Sequence, residues 1–170
     1  MILTIAVIGQ LNLFFLKNSE NLLVRIKPEA GVQQVILYYS FMSSNWDSVN
    51  AQAFNTYFDA VITPPETINT IGLYFKQDNR VNDNNGALYI FEVKKSPRMI
   101  MPLSLNYLET IVKQARKKII NHIHIDEAIT LIDYVEKILK SFPFIKGTDQ
   151  EIKVNILLSE VNELKRMLNQ

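Results

Sequence analysis

The chain has 170 residues, 48% of them hydrophobic and 21% charged, with a formal net charge of +1. That is apolar enough to fold, long enough for one ordinary domain or two small ones, and too near neutral to be drawn as a whole to nucleic acid or an anionic membrane. The absence of cysteine excludes disulfide frameworks, zinc-thiolate sites and cysteine nucleophiles.

Met1 to Leu16 (MILTIAVIGQLNLFFL) is apolar but lacks the positive start of a signal peptide, and Gln10 and Asn12 interrupt it. A spanning helix needs about 20 apolar residues, more than this run supplies. From Gln10 the residues alternate, with Leu11, Leu13 and Phe15 on one face. The expectation is two consecutive strands, or one bent at Gly9, with no membrane span; the compartment stays open, a cytoplasmic one being favoured by the lack of a signal peptide.

Asn21 to Lys27 puts Leu22, Val24 and Ile26 inward, and Pro28 to Gly31 supplies a turn. Gln33 to Met42 is rich in β-branched and aromatic residues, with Val35, Leu37, Tyr39 and Phe41 on one face. Ser43 to Asn50 reads as a polar loop holding the single tryptophan, Trp46. Tyr57 to Thr63 is a strand stopped by Pro64-Pro65, which cannot continue a central ladder. In Thr70 to Lys76, Ile71, Leu73 and Phe75 face inward. Gln77 to Gly86 reads as a loop dense in Asn and Asp, and Ala87 to Lys94 closes the unit with Tyr89, Phe91 and Val93 on one face. Six or seven short strands with turns and no helix between them predict an antiparallel sandwich.

Near Pro97 to Pro102 the apolar period changes from two to about 3.6, predicting a helical unit after the strands. Met99 and Met101 are expected to fill gaps between the two units. Pro102 and Ser104 signal a helix start, and Leu105, Leu108, Val112, Ala115 and Ile119 form its stripe, opposite Lys113, Arg116 and Lys117. A second helix over Asp126 to Lys140 carries Ile125, Ile129, Ile132, Val135 and Leu139. Pro143 breaks the pattern. Thr148 and Glu151 fit a capping box, and Ile152, Ile156, Val161, Leu164 and Leu168 continue a third stripe. Three helices with short connections predict up-down-up packing, with stripes left for the β unit or a partner.

The segments VILYYSFMSSNWDSV (Val35 to Val49) and VNDNNGALYIFEV (Val81 to Val93) resemble the strand, polar loop and tryptophan, and the Asn-rich loop with its closing Tyr-x-Phe strand, of immunoglobulin-like sandwiches found in starch-binding carbohydrate modules and microbial surface repeats. The resemblance covers roughly residues 21–93. It implies an immunoglobulin-like fold and sugar binding. One departure is that Val81 and Asn82 stand where the starch-binding family usually has an aromatic.

Trp46 with Tyr38 and Tyr74 is one candidate ligand surface, since flat aromatics suit the apolar faces of sugar rings. Asp83, Asn84 and Asn85 would supply hydrogen bonds to hydroxyls. Trp46 as a packed anchor and Asp83 to Gly86 as a plain turn is the competing reading. Glu92-Val93-Lys94 has the shape of the E-x-K element of PD-(D/E)xK nucleases, with Asp78 or Asp59 as upstream carboxylate and Gln114 on the following helix. Glu and Lys at alternate strand positions are also common on solvated faces, and no Pro-Asp precedes a candidate. His122 and His124 form an H-x-H pair without a nearby third ligand, and Lys113, Arg116, Lys117 and Lys118 read as a solvated basic face.

Together these residues predict an immunoglobulin-like antiparallel β-sandwich over 1–97 and a three-helix unit over 102–170. The expected function is non-catalytic, binding a protein partner or a second copy through the sandwich or the helices. A carbohydrate-binding module built on Trp46 is the alternative and a metal-dependent nuclease the third. No catalytic residue, cofactor or metal is assigned.

Overall fold

A computed structural model describes residues 4–8, 10–17, 19–96 and 98–169. Among these, the first sheet takes β1 (Thr4–Ile8), β2 (Leu11–Phe15), β3 (Leu22–Ile26), β7 (Tyr57–Ile62) and β6 (Gln52–Phe54), in that spatial order. The second takes β11 (Arg98–Pro102), β10 (Tyr89–Lys95), β8 (Thr70–Gln77), β4 (Val35–Met42) and β5 (Asn45–Asn50). Strand β9 (Arg80–Asn82) folds back on β8. Every pairing among the described residues is antiparallel.

The inward faces of the two sheets share one core. Leu13, Val24, Ile26 and Phe58 come from the first sheet, and Leu37, Leu73, Phe75 and Phe91 from the second. Each is an alternate residue of its strand, as period-two burial requires. The molecule is thus a β-sandwich carrying three helices: α1 (Leu105–Ile120), α2 (Ile125–Ser141) and α3 (Asp149–Leu168).

The helices build a second core on the outer face of the second sheet. Leu88 and Ile90 of the sandwich join Leu108, Ala115, Val135, Phe142, Leu157 and Leu164 there. This explains why β10 is buried without a break from Tyr89 to Val93: it is covered on both faces. The α2–α3 connection lies hard against β8. A Cβ placed on Gly72 would stand 2.4 Å from Cβ of Pro143, so only glycine admits that approach.

Several expectations need correction. Ser43 to Asn50 is not a loop, because Asn45–Asn50 forms β5 and pairs with β4 through Ile36↔Asn50 and Tyr38↔Ser48. The polar stretch after Gln77 contains β9, held by Phe75↔Asn82 and Gln77↔Arg80. Short polar strands escape a reading based on apolar alternation, which is why the strands outnumber the six or seven expected. The junction holds another strand, β11, paired with β10 through Val93↔Ile100. Residues 1–3, Gly9 and Pro97, on which the start of the first strand, the bend and one edge of the junction were expected, lie outside the described residues.

Ser104 caps α1 as expected, accepting from the Tyr107 N–H at 3.2 Å. The capping box at α3 does not form as written. Thr148 turns its hydroxyl to the Ile145 carbonyl (2.6 Å), and Glu151 accepts from the Gly147 N–H (2.7 Å), one residue before the cap. Ile129, Ile152 and Ile156 are exposed instead of forming core stripes. The buried residues of α3 are Val154, Leu157, Val161 and Leu164, spaced three and four apart on another side of the helix.

Candidate functional site

The three aromatics expected to form a platform do come together. Tyr38 and Tyr74, cross-strand neighbours on β4 and β8, stack with centroids 4.6 Å apart and planes 1° from parallel. Trp46 reaches from β5 to Tyr74, with centroids 5.1 Å apart and a 60° tilt. Lys76 Nζ stands 5.4 Å from the Tyr38 ring centre, a cation–π distance. Burial, then the neighbouring Tyr38, raises the Tyr74 hydroxyl above its ordinary pKa.

Trp46 is engaged with the helical unit. Its indole N–H donates to the Phe144 carbonyl at 2.9 Å, and both Trp46 and Tyr74 pack on the helical core. Beside them, Ser43 donates its N–H to Ser141 O (3.3 Å) and Phe144 donates to Ser43 O (3.0 Å). The β4–β5 turn and the α2–α3 connection are laced together at this point.

Asp83, Asn84 and Asn85 lie apart from this aromatic group. They belong to the turn between β9 and β10, on the edge of β8 opposite β4 and β5. The turn uses their polar groups: Gly86 N–H donates to Asp83 Oδ1 (3.0 Å) and Asn84 Nδ2 donates to Leu88 O (3.0 Å). Asn84 and Asn85 both have positive φ, which asparagine tolerates better than most residues. Asn84 also borders a cleft of about 280 Å³ between sandwich and helices, with Leu105, Phe142, Gln150 and Lys153.

The acidic residues are dispersed. Glu92, buried on β10, accepts from the Tyr134 hydroxyl at 3.0 Å and stands 3.5 Å from Lys94 Nζ. Burial, followed by this carboxylate, pushes the Tyr134 hydroxyl well above its ordinary pKa. Asp59 lies in the other sheet, gripped at both oxygens by Arg25 (2.8 and 2.6 Å). Asp78 accepts from the main-chain N–H groups of Gln33 and Gln34. Glu92, Asp59 and Asp78 therefore each close a local structural bond, and no three His, Asp or Glu side chains gather as a metal site among the described residues.

His122 and His124 are exposed, with His124 Nδ1 3.6 Å from Glu127. The basic residues of α1 are largely paired: Lys113 with Glu109, Arg116 with Glu160 and Glu163, and Lys118 with Glu127. Pairing of this kind removes most of the field a nucleic acid would follow.

An open apolar surface lies on α3. Ile152 and Ile156 are 58% and 53% exposed. They line a groove of about 380 Å³ with Glu109, Lys153, Leu157 and Glu160. The sequence does contain a signal for this face: isoleucines one turn apart that fall outside the 154–157–161–164 spacing.

Compared with protein-family models, curated proteins and solved structures, the chain matches none.

Proposed function

We propose that the chain is a non-catalytic interaction protein in which an immunoglobulin-like sandwich carries a helical unit that binds a protein partner. The observation that carries this reading is the outward exposure of Ile152 and Ile156 on a helix whose opposite side is fully buried. Large aliphatic residues paired on a groove, rimmed by Glu109, Lys153 and Glu160, have the apolar centre and charged rim of a protein-binding surface. Glu92, Asp59 and Asp78 are taken up by structural bonds, which favours binding over catalysis.

The strand order supports the immunoglobulin-like part of the reading. β2-β3-β7-β6 facing β5-β4-β8-β10 follows the A-B-E-D and C′-C-F-G sheets of such domains, with β1 and β11 as additions at the edges. The engagement of Trp46 by the helical unit, through its bond to the Phe144 carbonyl, weighs against its use as a sugar platform.

The test compares wild type with Ile156→Asp, using each as bait in an extract of the chain's own cells and measuring each mass by light scattering. The expected result is a protein, or a second copy, bound by wild type and lost from an equally stable variant. Identical captured proteins and identical masses overturn the reading.

A further inference from the structure

Strand β7 lies between β3 and β6, but β6 covers only part of it. The pairing runs Phe54↔Tyr57, Ala53↔Phe58 and Gln52↔Asp59 and then stops. Before Gln52 the chain belongs to the other sheet, where Ala51 donates its N–H to Val35 O at 2.9 Å.

The direction of the main-chain groups along β7 follows from β3. Lys27 donates its N–H to Gln10 O, and Asn21 O accepts from Leu16 N–H. Odd-numbered residues of β3 therefore face β2 and even-numbered ones face β7. The even residues of β7 meet them, as Ile26↔Phe58, Val24↔Ala60 and Leu22↔Ile62. The odd residues of β7 face the other way. Tyr57 and Asp59 find Phe54 and Gln52 there, while Val61 faces past the end of β6.

Val61 is 49% exposed and Phe54 54%. Both border a groove of about 430 Å³, with Leu23, Val49, Asn50 and Gln52. The charged residues beside it neutralise each other. Arg25 holds Asp59 at both oxygens and lies 5.4 Å from the ring centres of both Phe54 and Tyr57. The edge thus offers the main-chain N–H and carbonyl of Val61, an apolar wall and a mutually satisfied ion pair. An uncharged extended chain meets all three conditions.

We propose that this open edge of β7 receives an extended segment of another protein, which adds a short strand beside Ala60–Ile62 and places an apolar residue opposite Val61. That residue lies on the same face as Val61 and its cross-strand neighbour Leu23, and so extends an existing apolar row. The inference rests on the interaction reading above but uses a different surface from α3, so variants of the two faces separate them.

The probe is a random seven-residue peptide library displayed on phage and panned on the intact chain. Enriched peptides are expected to bind wild type and Ile156→Asp equally and Phe54→Ala about tenfold more weakly. Hydrogen exchange of the Val61 amide is expected to slow on binding. N-methylation of the peptide at a residue whose N–H faces β7 should abolish binding, and methylation of its immediate neighbour should spare it. No enrichment, binding indifferent to the methylated position, or loss of binding in Ile156→Asp but not in Phe54→Ala overturns the proposal. A Val61 amide already protected in a dimer of the free chain overturns it in favour of self-pairing.

Discussion

The indole N–H of Trp46 donates to the Phe144 carbonyl at 2.9 Å and so joins an edge strand of the sandwich to the connection between α2 and α3. A residue whose type suggests ligand stacking is here a tie between two cores. Trp46→Phe keeps an aromatic side chain and removes the donor. The expected loss is about 1 kcal/mol, the net worth of one hydrogen bond. Urea unfolding followed by far-ultraviolet circular dichroism measures it, and an unchanged midpoint at equal slope would show that the tie is idle.

Gly72 is a second point of attachment. In most strands, replacing glycine with alanine is stabilising by roughly 0.5–1 kcal/mol, because it reduces the freedom of the unfolded chain. Here the new methyl meets Pro143 at 2.4 Å, with the Ile90 side chain 3.2 Å away. Gly72→Ala is expected to reverse the sign and cost about 1–3 kcal/mol, the range for overpacking. A melting temperature equal to or above wild type would show that the α2–α3 connection yields freely.

The sandwich core was legible because alternation and burial coincide in Leu22-Val24-Ile26, Ile71-Leu73-Phe75 and Tyr89-Phe91-Val93. The polar strands β5 and β9 were not legible. Their pairing depends on neighbours distant in the sequence, and they bury too little to leave a periodic trace. The stripe of α1 was read correctly, since Leu105, Leu108, Val112, Ala115 and Ile119 are all buried. That of α3 was read in part: Val161 and Leu164 are buried, but Ile152 and Ile156 are exposed, because isoleucine carries the same apolar signal on an exposed face as on a buried one. Tyr38, Trp46 and Tyr74 were rightly grouped, but that the α2–α3 connection would pack on Trp46 is a tertiary fact with no local mark.

Glu136 links the last two helices electrostatically. Hydrogen bonds from Lys165 and then Lys140 hold its carboxyl below the ordinary value of 4.5. A carboxyl depressed in the folded state stabilises the fold above its unfolded pKa, and that contribution is lost as pH falls through the folded value. Lys165→Met is therefore expected to be less stable than wild type at neutral pH, with the difference shrinking as the pH falls below the ordinary carboxyl value of 4.5. Lys165 also meets Asp133 at 2.8 Å. Urea titrations across this range test it. A difference that stays constant with pH would assign the effect to packing of the lysine stem.

The sharpest contrast lies along α3 itself. Leu164 is fully buried in the helical core, whereas Ile156 is 53% exposed. Aspartate at 164 places a charge in an apolar interior with Leu108 and Val135 in the same core, and is expected to cost about 4 kcal/mol or more. Aspartate at 156 keeps its charge in water and is expected to shift stability by no more than about 0.5 kcal/mol. Both follow from thermal and urea unfolding of the two variants side by side. If Ile156→Asp unfolds the chain as readily as Leu164→Asp, the isoleucine face is part of the fold, and no partner is needed to explain it.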